Sequence, residues 1–295
     1  MNRLFFLHTH YIPKAIIDGS SFVGAVIVPE FYADLNKSYW GMEQSYSNIV
    51  EYLYDRDLTG STSTKIVFGI ENINMITHVN ILPFLKRHGV EVIQIYHNKD
   101  NRFFSLKNGL SEEGLKLLKF MEEADLILDL SHVPDEQIYG IMNVYSGKII
   151  VSHCACSDLY KYDLRRSNSL RKSTLEYLAG KNILIGLAFI NDIIAALPYT
   201  VEENDDTLLN DLAEQIYYIG SITGASKLAL GPDFIDLEYF SKVFNVNLKI
   251  SSYLYSGYGY DKLIQILLKK GLTKDEINGI LYGNAWNFLE ICCEA

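Results

Sequence analysis

Eight short apolar runs punctuate this 295-residue chain, at residues 3–7, 23–28, 66–70, 92–96, 126–130, 149–152, 183–189 and 228–231. Each is rich in Leu or β-branched residues and lacks clear alternation, as strands buried on both faces do. Amphipathic stretches with helical spacing lie between them, at 76–88, 112–123, 169–179 and 208–223. Two more, at 262–270 and 274–289, follow the last run. Eight strands alternating with helices predict one (β/α)8 TIM-type barrel spanning residues 1–295 as a single domain. An open doubly wound sheet is the competing arrangement. It leaves the count of eight unexplained, and no Gly-x-Gly-x-x-Gly follows the first strand.

Composition narrows the function classes. With 26 Lys+Arg against 36 Asp+Glu the formal net charge is −10, and no basic block is present, so nucleic acid is not an expected partner. The four cysteines, Cys154, Cys156, Cys292 and Cys293, have no zinc-finger spacing and read as reduced thiols. The apolar run Leu4-Phe5-Phe6-Leu7 is too short for a signal-peptide core. No stretch reaches the roughly 20 apolar residues of a membrane span. A soluble, cytoplasmic protein with no membrane partner is the expectation.

The chemistry concentrates where strands end. In a barrel all strands deliver their carboxyl ends to one face, so residues far apart in sequence meet there. His8 and His10 close the first run, Glu71 the third, His97 the fourth, His132 the fifth and His153 the sixth, while Asp233 follows the eighth. Imidazoles and carboxylates are the usual ligands of zinc and related cations. In a His-x-His pair on a strand both rings share a side. His78 and His88, in a helical stretch, read as structural. Asp125 and Asp129, which flank a strand, are assigned no part in catalysis.

The passages Gly69-Ile70-Glu71, His97-Asn98, Asp129-Leu130-Ser131-His132, Ser152-His153, Arg165-Arg166 and Gly231-Pro232-Asp233-Phe234 occur in this order. In this the chain resembles the membrane dipeptidase (renal dipeptidase) family of binuclear zinc peptidases on a (β/α)8 barrel. The resemblance implies a metallo-dipeptidase that cleaves a small peptide or amide with a metal-bridging hydroxide. It implies one zinc on His8 and His10, a second on His132 and His153, and Glu71 bridging both. His97 would polarise the scissile carbonyl and Arg166 would hold the substrate carboxylate. Asp233 would carry protons between the attacking hydroxide and the leaving amine. Which of Arg165 and Arg166 faces inward stays open. Family members are often dimers, so a homodimer is one expected state, although no exposed apolar helix establishes it.

The chain also departs from the family. Where the family has Asp two residues after its first ligand, this chain has His10, which can still bind zinc but brings no negative charge. The segment Gly-Pro-Asp-Phe-Ile-Asp replaces Gly-Ser-Asp-Phe-Asp-Gly, and Ser167 separates Asn168 from Arg166. Two other readings therefore stand beside the dipeptidase: a metal-dependent amidohydrolase acting on a non-peptide amide, lactam or ester, and a non-catalytic barrel scaffold. The Tyr- and Gly-rich stretch 253–260 reads either as a lining of the pocket mouth or as a loop packed on the barrel. Cys154, beside His153, reads as a small buried side chain.

Overall fold

The structure, a computed structural model, describes residues 3–10, 12, 16, 22–28, 65–71, 73–76, 78–97, 99–159, 168–194, 205–235, 248–257 and 259–290. Eight parallel strands form its centre: β1 (Leu4–Thr9), β2 (Phe22–Ile27), β3 (Lys65–Ile70), β4 (Val90–Gln94), β5 (Ile127–Asp129), β6 (Ile149–Cys156), β7 (Ile183–Leu187) and β8 (Leu228–Leu230). They pair in chain order, and β8 pairs β1, so the sheet closes into the expected barrel. Around it lie α1 (Leu82–Arg87), α2 (Glu112–Glu123), α3 (Asp135–Met142), α4 (Lys172–Ala179), α5 (Asp205–Thr223) and α6 (Gly259–Lys269). A small hairpin, Phe104–Ser105 with Gly109–Leu110, sits between β4 and α2.

Two helical stretches differ from expectation. Only Leu82–Arg87 of 76–88 is α-helical, preceded by a 3-10 turn at Val79–Ile81. Pro83 stands in the first turn, where its missing N–H is harmless but its ring bars a helix from continuing through it. The stretch 274–289 contains a π-helical segment, Gly279–Gly283, and Asn284 beyond it donates to the carbonyls of Ala225 and Leu228.

Alternate residues of the strands fill the shaft. Phe5, Leu7, Val26, Val67, Val92, Ile127, Ile150, Leu184 and Ala229 form one buried cluster, edged at one end by Tyr282 and Trp286. The intervening strand residues, such as Phe6, Ile93, Leu128 and Val151, join the larger cluster under the helices. This double burial is why the strands read as unbroken apolar runs.

Two one-residue register shifts break the alternation where function lies. Phe6 pairs Ala25 but Thr9 pairs Ile27, so on β1 the extra residue falls at Leu7-His8. On β6, Val151 pairs Ile185 but Cys154 pairs Leu187, so the extra residue falls at Ser152-His153. Such irregularities re-aim side chains beside active sites. The displaced backbone needs room, which glycines supply. A Cβ on Gly186 would lie 1.8 Å from the Ser152 carbonyl oxygen, and one on Gly231 would lie 1.9 Å from it.

Candidate metal centre

Above the apolar shaft the inward alternation continues with polar residues. On β3, Val67 and Gly69 lead to Glu71; from β5, Ile127 leads to Asp129 and Ser131; from β8, Ala229 and Gly231 lead to Asp233. The backbone ladder between β1 and β8 runs past both strands, since Asp233 N donates to His8 O and His10 N to Phe234 O, each at 3.2 Å. That pairing sets Asp233 Oδ1 3.6 Å from His8 Nε2 and 3.3 Å from His10 Nε2.

Glu71 occupies the middle. One of its oxygens lies 3.9 Å from His8 Nε2 and 3.7 Å from His97 Nε2, and the other lies 3.6 Å from His10 Nε2. His132 Nε2 and His153 Nε2 are 3.1 Å apart. Three donor groups result among the described residues; the two that gather the strand-end residues are His8 with His10 and Asp233, and Glu71 with His132 and His153, the atoms of each lying within 4.8 Å of one another. Seven residues that the sequence placed at six strand ends therefore converge. Arg165 and Arg166 lie outside the described residues, as do Asn98, Cys292 and Cys293.

The donors are arranged as ligands rather than as simple ion pairs. His8 Nε2 is fully buried with no hydrogen-bond partner, an expensive state for a polar atom unless something fills the space it faces. Two nitrogens on one tetrahedral zinc, each about 2.0–2.1 Å from it, stand roughly 3.3 Å apart, close to the His132–His153 spacing. His10 Nδ1 donates to the Val28 carbonyl at 2.7 Å, which turns its Nε2 lone pair toward Glu71 and Asp233. The residues present thus fit divalent metal ions.

Backbone strain accompanies this convergence. His132 (φ 65°), Asn168 (φ 67°) and Asp233 (φ 54°) all adopt the left-handed conformation. Such residues cost on the order of 1–3 kcal/mol each and persist where surroundings enforce them. Asn168 Oδ1 accepts the backbone N–H of His132 at 2.8 Å, joining two of these positions. The sequence offered no assignment for Asn168 in this role.

Burial and mutual repulsion keep His8, His132 and His153 neutral. Desolvation and then His10 lower the pKa of His8, and desolvation and then His97 push that of His132 down to about 3. His153 lies well below its ordinary value from desolvation and the neighbouring His8. Burial opposes ionisation of Glu71 and Asp233, yet the surrounding histidines outweigh it and hold both below the usual carboxylate range. In metal-free protein the unfolded chain therefore takes up protons near pH 6.5 that the folded chain refuses. Stability is expected to fall as pH drops from about 7.5 to about 5, by up to roughly 1.4 kcal/mol per pH unit for each such histidine. Asp129, raised by burial, acts in the opposite sense. Urea denaturation of chelator-treated protein measures the slope, and a flat profile would contradict neutral buried imidazoles.

The remaining candidates lie elsewhere. His88 Nδ1 donates to the Phe84 carbonyl at the end of α1, and His78 is exposed before a 3-10 turn. Cys154 is fully buried among the core residues under the helices, and its thiol is pushed well up by burial. Of the Tyr-rich stretch, Tyr255 Oη donates to the Ile235 carbonyl, and Tyr260 stacks against Phe6, so these two pack on the barrel wall. Tyr258 lies outside the described residues.

The model of the membrane dipeptidase family (peptidase family M19) matches residues 41–292. The chain belongs to that family. It is 24% identical over 226 residues to an uncharacterized dipeptidase of Schizosaccharomyces pombe, covering 73% of this chain and 50% of that protein. Dipeptidase aclJ of Aspergillus oryzae is also 24% identical, over 232 residues, covering 76% and 50%. The chain thus spans about half the length of these curated relatives. Among solved structures, an amidohydrolase from Pseudomonas aeruginosa superposes with a TM-score of 0.76 at 16% identity, covering 98% of this chain and 96% of that one. A metallo peptidase from Rhodobacter sphaeroides, bound to a phosphinate mimic of L-Ala-D-Ala, gives 0.71 at 12% identity, covering 98% and 99%. These superpositions establish the shared barrel fold. No helix among the described residues is long and apolar enough to cross a membrane.

Proposed function

We propose that this chain is a zinc-dependent dipeptidase-like hydrolase that cleaves the amide bond of a small peptide. The observation that carries the reading is the sharing of Glu71. It lies within 4 Å of His8, His10 and His97 and within the same donor group as His132 and His153. In this reading His8 and His10 would hold one ion, His132 and His153 would hold the other, and Glu71 would be shared between them. Bound dications supply Lewis acidity and hydroxide at neutral pH, lowering the pKa of water from about 15.7 toward about 7.

The other steps fall to the chain. His97, partly exposed beside Glu71, is placed to donate to the carbonyl oxygen as its charge grows. Asp233, beside His8 and His10 at the strand ends, is placed to accept the proton of the attacking water and pass it to the leaving amine, which amide cleavage requires. Arg166 is the assigned partner of the substrate carboxylate, for which its planar fork is suited. The Rhodobacter protein's ligand motivates including D-residues among substrates to be tried. The test is a zinc-loaded screen of dipeptides, with D-residues, against lactams and esters. Turnover of lactams or esters alone would replace the peptidase reading with the wider amidohydrolase one.

His10 leads to a specificity prediction. Donating through Nδ1 to Val28, it is a neutral group where the family carries an acid, so it does not attract a substrate ammonium. A lost charge-assisted contact costs on the order of 1.5–3 kcal/mol, or roughly one to two decades in affinity. The natural protein is expected to accept N-acetylated dipeptides better, relative to free ones, than His10→Asp does. Equal rejection of acetylated substrates by both forms would refute this.

A further inference from the structure

The geometry points to Ser152, anchored by Asp129, as a positioning residue that fixes the proton on two histidines at once, one in each of the two strand-end donor groups. This inference rests on the metal reading above and concerns residues that reading leaves out.

Asp129 is buried at the inner wall and accepts three hydrogen bonds. One oxygen receives the N–H of Ser131 at 2.9 Å and of Ser152 at 3.0 Å, and the other receives the Ser152 hydroxyl at 2.5 Å. Two backbone N–H groups aimed at one of its oxygens favour the ionised form of this carboxyl, which only accepts, so the hydroxyl proton of Ser152 is committed to Asp129. What remains on Ser152 Oγ is two lone pairs. His153 Nδ1 lies 2.9 Å from this oxygen and His8 Nδ1 lies 3.2 Å from it. With the serine proton spent, both contacts require the imidazole to donate. Each ring then carries its proton on Nδ1 and presents a bare Nε2.

Those Nε2 atoms face the site. That of His8 is the buried atom with no partner, and that of His153 lies against His132 Nε2. The two rings are 4.0 Å apart at their centroids, so one hydroxyl reaches both. The register shift on β6 makes this possible, because it turns Ser152 and His153 inward in succession. Ser131 Oγ, 3.1 Å from Ser152 Oγ, is a fourth neighbour; it receives the backbone N–H of His153, and its own proton competes for the same lone pairs. His8, Asp129 and His153 are also close enough to hold an ion between them. The Ser152 hydroxyl stands among those three groups and bonds each of them, which favours the hydrogen-bonded arrangement.

The experiment uses the full chain with ¹⁵N-labelled histidine, metal-free and then titrated with zinc alone in competition with a chelator. Long-range proton–nitrogen NMR spectra report which ring nitrogen carries the proton. The expected wild-type result is Nδ1–H on both His8 and His153 before zinc is added. Ser152→Ala should mix the tautomers of both rings and weaken both zinc sites by roughly 10–100-fold, as loss of a ligand's outer partner does. Asp129→Asn keeps the shape but offers an N–H to Ser152, so the hydroxyl keeps its proton and turns it toward one imidazole Nδ1 as a donor. One of the two rings should then switch to Nε2–H, and its zinc site should weaken. Nε2–H on either ring in the wild type overturns the inference. So does folded Ser152→Ala with unchanged histidine signals and zinc affinity; if that variant does not fold, Asp129→Asn decides in the same way. Wild-type protein that binds no zinc overturns the metal reading instead, and the tautomer signals still judge the hydrogen bonds independently.

Discussion

Glu71→Gln is expected to leave the barrel folded while lowering bound zinc from about two ions per chain to one or fewer and cutting kcat/KM on the order of a thousandfold. The glutamine keeps the side chain's size and one acceptor oxygen but removes the charge. That charge sits buried among His8, His10 and His97, which together hold the carboxyl below its ordinary pKa despite its burial. The other carboxylates are placed differently: Asp233 belongs to the group with His8 and His10, and Asp129, although it lies with His8 and His153, already accepts from Ser131 and Ser152. Metal analysis by mass spectrometry and a dipeptide assay on the same preparation check the prediction. Zinc near two per chain with activity retained would remove the bridging role.

Much of this centre was legible because parallel strands buried on both faces leave few places for a polar side chain. Histidine or glutamate interrupting such a run stands out, as His8, Glu71 and His153 do. The direction in which each points was harder to read. Strict alternation from Phe5 and Leu7 would carry Thr9, not His8, inward; the added residue between Phe6 and Thr9 reverses this. Nothing in the sequence marks such a shift, because it is set by pairing with β2. Asp129 is hidden for a different reason. At the edge of its apolar run it reads as a flank of the strand, although Ile127, Asp129 and Ser131 are spaced two apart and the same count places Asp129 inside. Helix α3, only eight residues long, carried too little periodicity to be singled out.

Gly231→Ala is expected to cost about 3 kcal/mol of stability and to lose zinc from the His132–His153 pair. The added methyl would sit 1.9 Å from the Ser152 carbonyl oxygen and 3.2 Å from His153 Cα, so either β8 or the shifted part of β6 must move. Neither can yield freely, since Gly231 N donates to Leu187 O and the neighbouring Gly186 is equally tight against the same carbonyl. Gly140→Ala is the contrasting case. It lies exposed on α3 with nothing within 4 Å of the new atom, and a gain of about 0.5–1 kcal/mol is expected there. Urea midpoints for the two variants, measured without metal, separate the packing effect from the ligand effect. Equal stability of Gly231→Ala and the natural protein would show that β6 adapts.

The packed shaft below the site has a consequence for traffic. Among the described residues Phe5, Leu7, Val67, Ile127 and Ile150 pack the shaft with side chains, so its floor is closed there. Whatever enters and whatever is released must use the face formed by the strand ends. Two fragments leaving a bond-cleaving reaction would share that doorway with the next molecule arriving, and a fragment that lingers there stands in its path.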